Sequence, residues 1–110
     1  MDFDQAWELL KDAVVISDHI EKEEVENGLK AGSFKLFFHQ NSVALIVHQN
    51  GFLRVGLAGG VMEDLLVIEK DVCEYAKCRG DKFIEIISRP GWERALENYQ
   101  RVAVVLRKEL

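Results

Sequence analysis

The fold of this chain is decided by residues 56–66, GLAGGVMEDLL. Two glycines end an apolar run, and a helical pattern of apolar residues begins directly after them. This order predicts the end of a strand, a glycine turn and the start of a long helix. Anions bind at such turns in α/β proteins, because free N–H groups and the positive helix end converge there. Here the first helical turn carries Glu63 and Asp64, which stabilise the helix dipole and repel an anion.

Length and composition predict one globular domain over residues 1–110. Apolar residues make up 48% of the chain and charged residues 30%, a balance typical of folded proteins. The formal net charge is −5, which argues against nucleic acid as the main partner. The negative charge is concentrated in residues 1–30, which hold nine acidic and three basic side chains, whereas the rest of the chain has a net charge of +1.

Further features predict a cytoplasmic protein without a membrane partner or a metal. The N-terminus lacks the pattern of a signal peptide, and no apolar run approaches the ~20 residues that span a bilayer. Cys73 and Cys78 are the only cysteines. Five residues apart on a helix, they point about 140° away from each other. We interpret them as reduced thiols, neither a disulfide nor a metal pair.

Two helices and a three-stranded antiparallel meander are predicted before the glycine turn. The helices cover residues 3–16 and 21–31, and Gly32 closes the second. The strands run over residues 34–40, 43–49 and 52–58. Asn50-Gly51 is a strong hairpin signal, because both positions accept positive φ. Residues 43–47 lack a polar face, so both sides of that strand should be covered.

Beyond the turn, the long helix runs to about Arg79 and stops at Gly80. Three further elements follow: a strand at residues 83–88, a short amphipathic helix at 92–99 and a strand at 102–106. The strand at 83–88 should lie parallel to the one at 52–58, through a right-handed crossover. We therefore expect an α/β (α+β) domain with a mixed, mainly antiparallel sheet of five or six strands and helices on both faces.

This element order resembles the GNAT acyltransferase superfamily. More narrowly, the chain is similar to small GNAT-like proteins of tailed bacteriophages, which work inside a bacterial host. The narrower likeness is carried by Ala58-Gly59-Gly60, by residues 74–80, EYAKCRG, and by residues 89–96, RPGWERAL. Residues 30–110 take part in the resemblance, and the N-terminal helices fit it by position alone.

The resemblance implies acetyl-CoA as a cofactor. In that superfamily, backbone amides of a Q/R-x-x-G-x-G/A turn hold the pyrophosphate of coenzyme A. The corresponding candidate cofactor-binding residues here are Arg54, Gly56, Gly59, Gly60, Val61 and Met62. The spacing departs from the motif, since no Gln or Arg stands three residues before a G-x-G pair. The alternative is a sharp strand-to-helix turn in which the glycines adopt positive φ.

The resemblance also makes Tyr99 the candidate catalytic residue. GNAT enzymes commonly use a tyrosine on the short helix after the fifth strand to protonate the leaving thiolate, in a motif that resembles N-x-x-A-x-x-x-Y. Residues 92–99, WERALENY, keep the Ala and Tyr spacing, with Trp92 in place of Asn. The alternative is that Tyr99 packs against Trp92 on an amphipathic helix.

A general base does not emerge from the sequence. We interpret His39 and His48 as partly exposed strand residues and His19 as a loop residue. Glu85 stands inside an apolar strand, where a carboxylate must be paired, protonated or facing a cleft.

Two functions from different classes remain open. The first is a non-catalytic or degenerate GNAT-like phage protein that binds another protein. The acidic first turn, the departure from the motif, the short chain and the missing base favour it. The alternative is an acyltransferase that moves an acetyl group from acetyl-CoA to an amine. A homodimer through an exposed edge strand at residues 102–107 is a further expectation.

Overall fold

The structure, a computed structural model, describes residues 2–11, 21–86, 95, 96, 98, 99 and 108. These residues form a mixed α+β fold with three helices and one four-stranded sheet. In chain order the elements are α1 Phe3–Leu10, α2 Lys22–Ala31, β1 Phe34–His39, β2 Ser42–His48, β3 Phe52–Gly59, α3 Met62–Arg79 and β4 Phe83–Ile86. The predictions for residues 12–20, for 87–94 and for the last strand at 102–106 lie outside the described residues. The short helix predicted at 92–99 does not extend to Tyr99, because Leu96 lies in a bend and Asn98 lies in a turn with a φ of 66°.

Local signals set the ends of the helices. The Asp2 side chain accepts the N–H of Gln5 at 2.8 Å, and the Gln5 side chain accepts the N–H of Asp2 at 3.0 Å. This reciprocal capping box fixes the start of α1. Helices α2 and α3 end at Gly32 and Gly80, as predicted, with φ of 81° and 80°. Glycine enters this left-handed region without the steric cost of a side chain.

The strand order in the sheet is β1-β2-β3-β4. The pairs β1–β2 and β2–β3 are antiparallel, and α3 carries the chain across to β4, which lies parallel to β3. The predicted meander and its parallel return strand are confirmed. Of the five or six strands expected, four lie within the described residues. The hairpin turn falls at Asn50-Gly51, but only Gly51 has positive φ, at 88°.

A bulge at Gly56 changes the face of the sheet to which the following side chains of β3 point. Leu57 pairs with Leu45 and Val55 pairs with Ile46, so Gly56 is the extra residue between them. Before the bulge, Val55 belongs to the core under α3; after it, Leu57 belongs to the core under α1 and α2. The bulge therefore lets one strand supply apolar side chains to both faces.

Two apolar cores lie on opposite faces of the sheet. The core on the α3 side consists of Ala44, Ile46, Leu53, Val55, Ile68, Val72 and Ala76. The core on the other side consists of Ala6, Leu10, Val25, Val43, Leu45 and Leu57. Strand β2 contributes to both, and residues 42–46 are all buried. The prediction that this strand is covered on both sides is confirmed.

Candidate functional site

Both glycines of the turn are needed for close packing. A Cβ at Gly59 would overlap the backbone carbonyl of Leu9, because the end of α1 lies directly against the turn. A Cβ at Gly60 would overlap the side chain of Ser42, and the φ of Gly60 is 128°. The positive φ expected of this turn is therefore present at Gly60. The space beside both glycines is filled by the chain itself.

Serine 42 supplies the cap that α3 lacks in its own sequence. Helix α3 starts after Val61, which has no side-chain group to cap the helix. Ser42, the first residue of β2, is 1% exposed, and its Oγ accepts the N–H of Val61 at 3.0 Å. The same hydroxyl donates to Oδ2 of Asp64 at 3.1 Å. An acidic group at this position also stabilises the helix dipole.

Histidine 39 completes a group that contains the three residue types of a hydrolase triad. Its Nε2 lies 4.0 Å from Oδ1 of Asp64. In a catalytic triad, the serine hydroxyl bonds to the histidine. Here the Ser42 hydroxyl bonds to the carboxylate and to a backbone N–H instead. The arrangement caps a helix and does not activate a nucleophile.

Only part of the helix end stays open. The N–H groups of Asp64 and Leu65 donate to the Val61 carbonyl at 3.1 and 3.0 Å. Those of Met62 and Glu63 have no hydrogen-bond partner within the part of the chain that the structure describes. Residues 59–64, together with Ser42 and the Leu9 carbonyl, are called the capped turn below.

Arginine 54 lies at the other end of β3 from the capped turn. It pairs with Val47 in the sheet, whereas Gly59 pairs with Val43. Its Nη2 and Nε donate to Oε1 of Glu85 at 2.8 and 3.1 Å. Of the alternatives for Glu85, pairing with a basic residue is therefore the one observed. Arg54 and the bulged Gly56 are candidate cofactor residues that the structure does not bring to the start of α3.

Tyrosine 99 is tied to α3 through its hydroxyl. The Tyr99 O–H donates to Oε1 of Glu69 at 2.9 Å, and the Cys73 thiol donates to the same oxygen at 3.3 Å. Burial, followed by the bond to Glu69, raises the pKa of Tyr99 above its ordinary value. The same two causes raise the pKa of Cys73 from 9.0 to about 11. Both groups hold their protons at neutral pH, and Cys73 is not a thiolate nucleophile.

A small apolar cavity lies between α3, the sheet and Leu96. Its volume is about 30 Å³, and its walls include Val55, Met62, Ile86 and Leu96, with Glu69 at one side. A water molecule needs roughly 10–15 Å³ of such volume. The cavity between these described residues therefore has room for about two waters and none for a pantetheine arm.

A second polar contact, which the sequence did not reveal, joins His48 to Tyr75. The Nδ1 of His48 lies 3.1 Å from the Ser33 carbonyl, and its Nε2 lies 2.8 Å from the Tyr75 hydroxyl. Because a carbonyl only accepts, Nδ1 donates to it, and in the neutral ring Nε2 then accepts from the Tyr75 hydroxyl. Lys35 and Arg79 lie over the Tyr75 ring, at 5.5 and 6.0 Å from its centroid. The contact fastens the C-terminal half of α3 to β2, and its 27-residue separation leaves no local sequence signal.

Several large apolar side chains remain on the surface. Phe38, Val61, Val67 and Phe83 are 42%, 59%, 37% and 50% exposed. Phe83 stacks on Phe52 with 4.7 Å between ring centroids. Exposed aromatic groups of this kind are typical of protein contact surfaces.

The fold and site together define an α+β domain whose strand-to-helix turn is filled largely by its own side chains and backbone. Comparison with protein-family models, curated proteins and solved structures finds no match for the chain. Within the described ranges, no group of three or more His, Cys, Asp or Glu residues could hold a metal ion. Nor does any described helix have the length and apolar character needed to span a membrane.

Proposed function

We propose that this chain is a non-catalytic protein-binding domain of GNAT-like architecture with a degenerate coenzyme A site, encoded by a tailed bacteriophage. The phage origin rests on the resemblance of residues 30–110. The order of two helices, a three-strand meander, a long helix and a parallel strand supports the GNAT-like part of the proposal.

The capped turn carries this proposal. A pyrophosphate at the start of α3 would need open backbone N–H groups beside the glycines. The Val61 N–H is already bonded to Ser42, and the Asp64 carboxylate is held at the same helix end. The backbone of α1 lies against Gly59. A dianionic ligand in contact with Gly59 would therefore have to displace α1, and any anion at this helix end would bind beside a carboxylate.

Tyrosine 99 has a structural role in this proposal. Its hydroxyl donates a hydrogen bond to Glu69, and its raised pKa makes it a weaker acid than an ordinary phenol. General acids work best when their pKa lies near the operating pH. The Tyr99–Glu69–Cys73 contacts fasten residues near the C-terminal end of the chain to α3.

Acyl transfer is the second candidate, and one observation favours it. The Met62 and Glu63 N–H groups lack partners within the described part of the chain, so two donors still point out of the helix end. In this alternative they would hold the pyrophosphate of acetyl-CoA, and Tyr99 would protonate the departing thiolate as the acetyl group moves to an amine.

Calorimetric titration of acetyl-CoA and of free coenzyme A separates the two candidates. The binding proposal predicts no saturable heat at millimolar ligand. The matched variants are Met62→Pro and Met62→Ala. Proline is well tolerated at the first helical position and removes the N–H, whereas alanine keeps it. Micromolar binding that Met62→Pro loses and Met62→Ala keeps would overturn the proposal in favour of acyl transfer.

Site-specific photo-crosslinking in the bacterial host tests the protein-binding half of the proposal. A photoreactive phenylalanine analogue replaces the exposed Phe83, and the same analogue at the exposed Lys70 is the matched control. We expect a discrete adduct from position 83 that is absent from position 70. Equal diffuse labelling at both positions would contradict a specific contact at this aromatic surface.

A further inference from the structure

The outer edge of β1 presents unpaired backbone groups. Residues facing each other across an antiparallel pair alternate between bonded and non-bonded positions. The His48 N–H donates to the Ser33 carbonyl at 2.9 Å, which fixes Ser33 as a bonded position. It follows from the register that Phe34, Leu36 and Phe38 turn their N–H and C=O groups away from β2. No described strand pairs with these groups, which are called the open edge below.

The side chains of β1 provide little of the protection that edge strands usually have. Natural edges are blunted by prolines, bulges or outward charges. Strand β1 contains no proline, and its pairing with β2 runs without a register shift. Its only formally charged residue is Lys35, whose Nζ lies 5.7 Å from the Phe37 ring centroid and 5.5 Å from that of Tyr75. That lysine covers the α3 face, while Phe38 is 42% exposed.

Two copies of β1 fit each other in one antiparallel register. With Leu36 opposite Leu36 of the second copy, Phe34 faces Phe38 and Phe38 faces Phe34. All the outward residues then form mutually bonded pairs, the largest overlap that this strand allows. The remaining opposed pairs place Lys35 across from Phe37, a favourable cation and aromatic contact.

The neighbouring registers are electrostatically worse. A shift by one bonded position in one direction places Lys35 directly opposite Lys35 of the second copy, and like charges in that position destabilise a sheet. The opposite shift places Lys35 across from His39 and pairs fewer outward residues. The charge pattern of β1 therefore selects the register centred on Leu36.

The charges of α2, the helix that packs on β1, would also be complementary between two copies. Val25 and Leu29 of α2 share an apolar core with Phe34 and Leu36 of β1. The first turn of α2 is acidic, and its last turn carries Lys30. A two-fold axis perpendicular to the sheet would make the two α2 helices antiparallel, so that the acidic end of one lies nearest the basic end of the other.

We propose that two copies of this chain pair through β1 to form one continuous sheet, to which each copy contributes the four described strands. This rests on the proposed protein-binding function and adds a second copy as the partner at β1, at the opposite edge of the described sheet from Phe83. The interface consists of the open edge, the Phe34–Phe38 contacts across it and the flanking α2 helices.

Sedimentation velocity from micromolar to millimolar protein, combined with amide hydrogen exchange by NMR, tests the pairing. We expect a concentration-dependent dimer. The amides of Phe34, Leu36 and Phe38 should exchange fast in the monomer and slowly in the dimer. The amides of Lys35 and Phe37, which point to β2, should stay protected throughout. The outward amides thus report on pairing at the open edge, and the inward amides report on whether the β1–β2 ladder is folded.

Phe38→Pro and Phe38→Thr are the matched variants for this test. Both remove the exposed ring, but only proline deletes an outward N–H, and it leaves the β1–β2 ladder intact. We expect Phe38→Pro to weaken dimerisation roughly tenfold more than Phe38→Thr, since two hydrogen bonds are lost for each dimer. Protection of Lys35 and Phe37 shows that either variant is folded.

Three results would overturn the pairing: a monomer at millimolar concentration, a dimer with fast exchange at the open edge, or equal dimerisation of the two variants. Edge protection that appears only with a host protein would also overturn it, while leaving the proposed protein-binding function intact. Failure of that function has a different signature, which is saturable binding of acetyl-CoA.

Discussion

The capped turn and the open edge adjoin the same sheet, but backbone groups are largely covered at the turn and unpaired at the edge. At the capped turn, a β2 hydroxyl bonds to the Val61 N–H, and the α1 backbone presses against Gly59. At the open edge, every second residue of β1 turns its N–H and C=O outward without a described partner. The sequence signal for binding is strong at the turn and faint at the edge. In the structure the turn is largely occupied and the edge is open. A glycine pair is therefore an ambiguous signal, because close packing requires glycines as often as ligand binding does.

The largest expected effect comes from adding one methyl group to the capped turn. In Gly59→Ala the new Cβ would overlap the Leu9 carbonyl, and backbone cannot move aside as a side chain can. We expect a loss of about 3 kcal/mol or more in the free energy of unfolding. Gly32→Ala, whose new Cβ meets no neighbouring atom but whose backbone has a positive φ, should cost about 1 kcal/mol. Urea unfolding of both variants measures the difference. Equal costs would mean that α1 does not cover the turn, which would then be open to a ligand.

Ser42→Ala tests the cap that Ser42 provides for α3. This variant deletes the acceptor of the Val61 N–H and the donor to Asp64, in a residue that is 1% exposed. We expect a loss of about 1–2 kcal/mol in unfolding free energy, within the range for helix caps and buried hydrogen bonds. Ser33→Ala, at an exposed position, is the matched control. A loss no greater than the control's would show that the capped turn does not depend on this hydroxyl.

The two free cysteines should differ in reactivity. Cys73 is half-buried with its pKa raised to about 11, whereas Cys78 is exposed. At pH 8 we expect iodoacetamide to label Cys78 at least about tenfold faster than Cys73, because the thiolate is the reacting form. Peptide mapping by mass spectrometry gives both rates. Comparable rates in the folded protein would contradict the Cys73–Glu69 contact.

The same thiol gives stability a pH dependence with a definite sign. The folded pKa of Cys73 is raised from 9.0 to about 11, so the unfolded chain loses this proton first. Its contribution is fully present below pH 9.0 and is lost as the pH rises towards 11. Cys73→Ala should flatten the decline of unfolding free energy in that window, and Cys78→Ser should leave it unchanged. A decline that survives Cys73→Ala in full would contradict this assignment.

The smallest effect is expected at Arg54. Its ion pair with Glu85 joins two side chains that are about one-third exposed, at 37% and 33%. Such pairs contribute about 0–1 kcal/mol. Arg54→Gln should therefore change the unfolding midpoint much less than Ser42→Ala. A loss as large as that of Ser42→Ala would mean that Arg54 has a further partner.

The elements that sequence predicts well are those fixed by neighbouring residues. The hairpin at Asn50-Gly51, the helix stops at Gly32 and Gly80, and the long helix of residues 62–79 all follow from local turn and capping chemistry. The two-sided burial of residues 42–46 follows from their lack of a polar face. Position 40 shows the limit of such rules, since Gln40 takes a positive φ of 54° without any glycine to signal it.

The candidate site was harder to predict, because its contacts join distant parts of the chain. Ser42 reaches Asp64 across 22 positions, and Tyr99 reaches Glu69 across 30. No local pattern distinguishes a serine that caps a remote helix from any other strand serine. The acidic first turn was the one useful signal, because it argues against an anion there. The role of Asp64 as the partner of Ser42 became visible only in the structure.

An NMR titration with coenzyme A gives the sharpest test of the capped turn, because each of its amides reports separately. Coenzyme A is added to labelled protein up to millimolar concentration while the amide signals of Val61, Met62 and Glu63 are followed. We expect no saturable shift at any of them, because Ser42 binds the Val61 N–H, α1 lies against Gly59 and the Asp64 carboxylate repels an anion. Saturable shifts confined to these three amides would contradict this expectation and establish a working coenzyme A site.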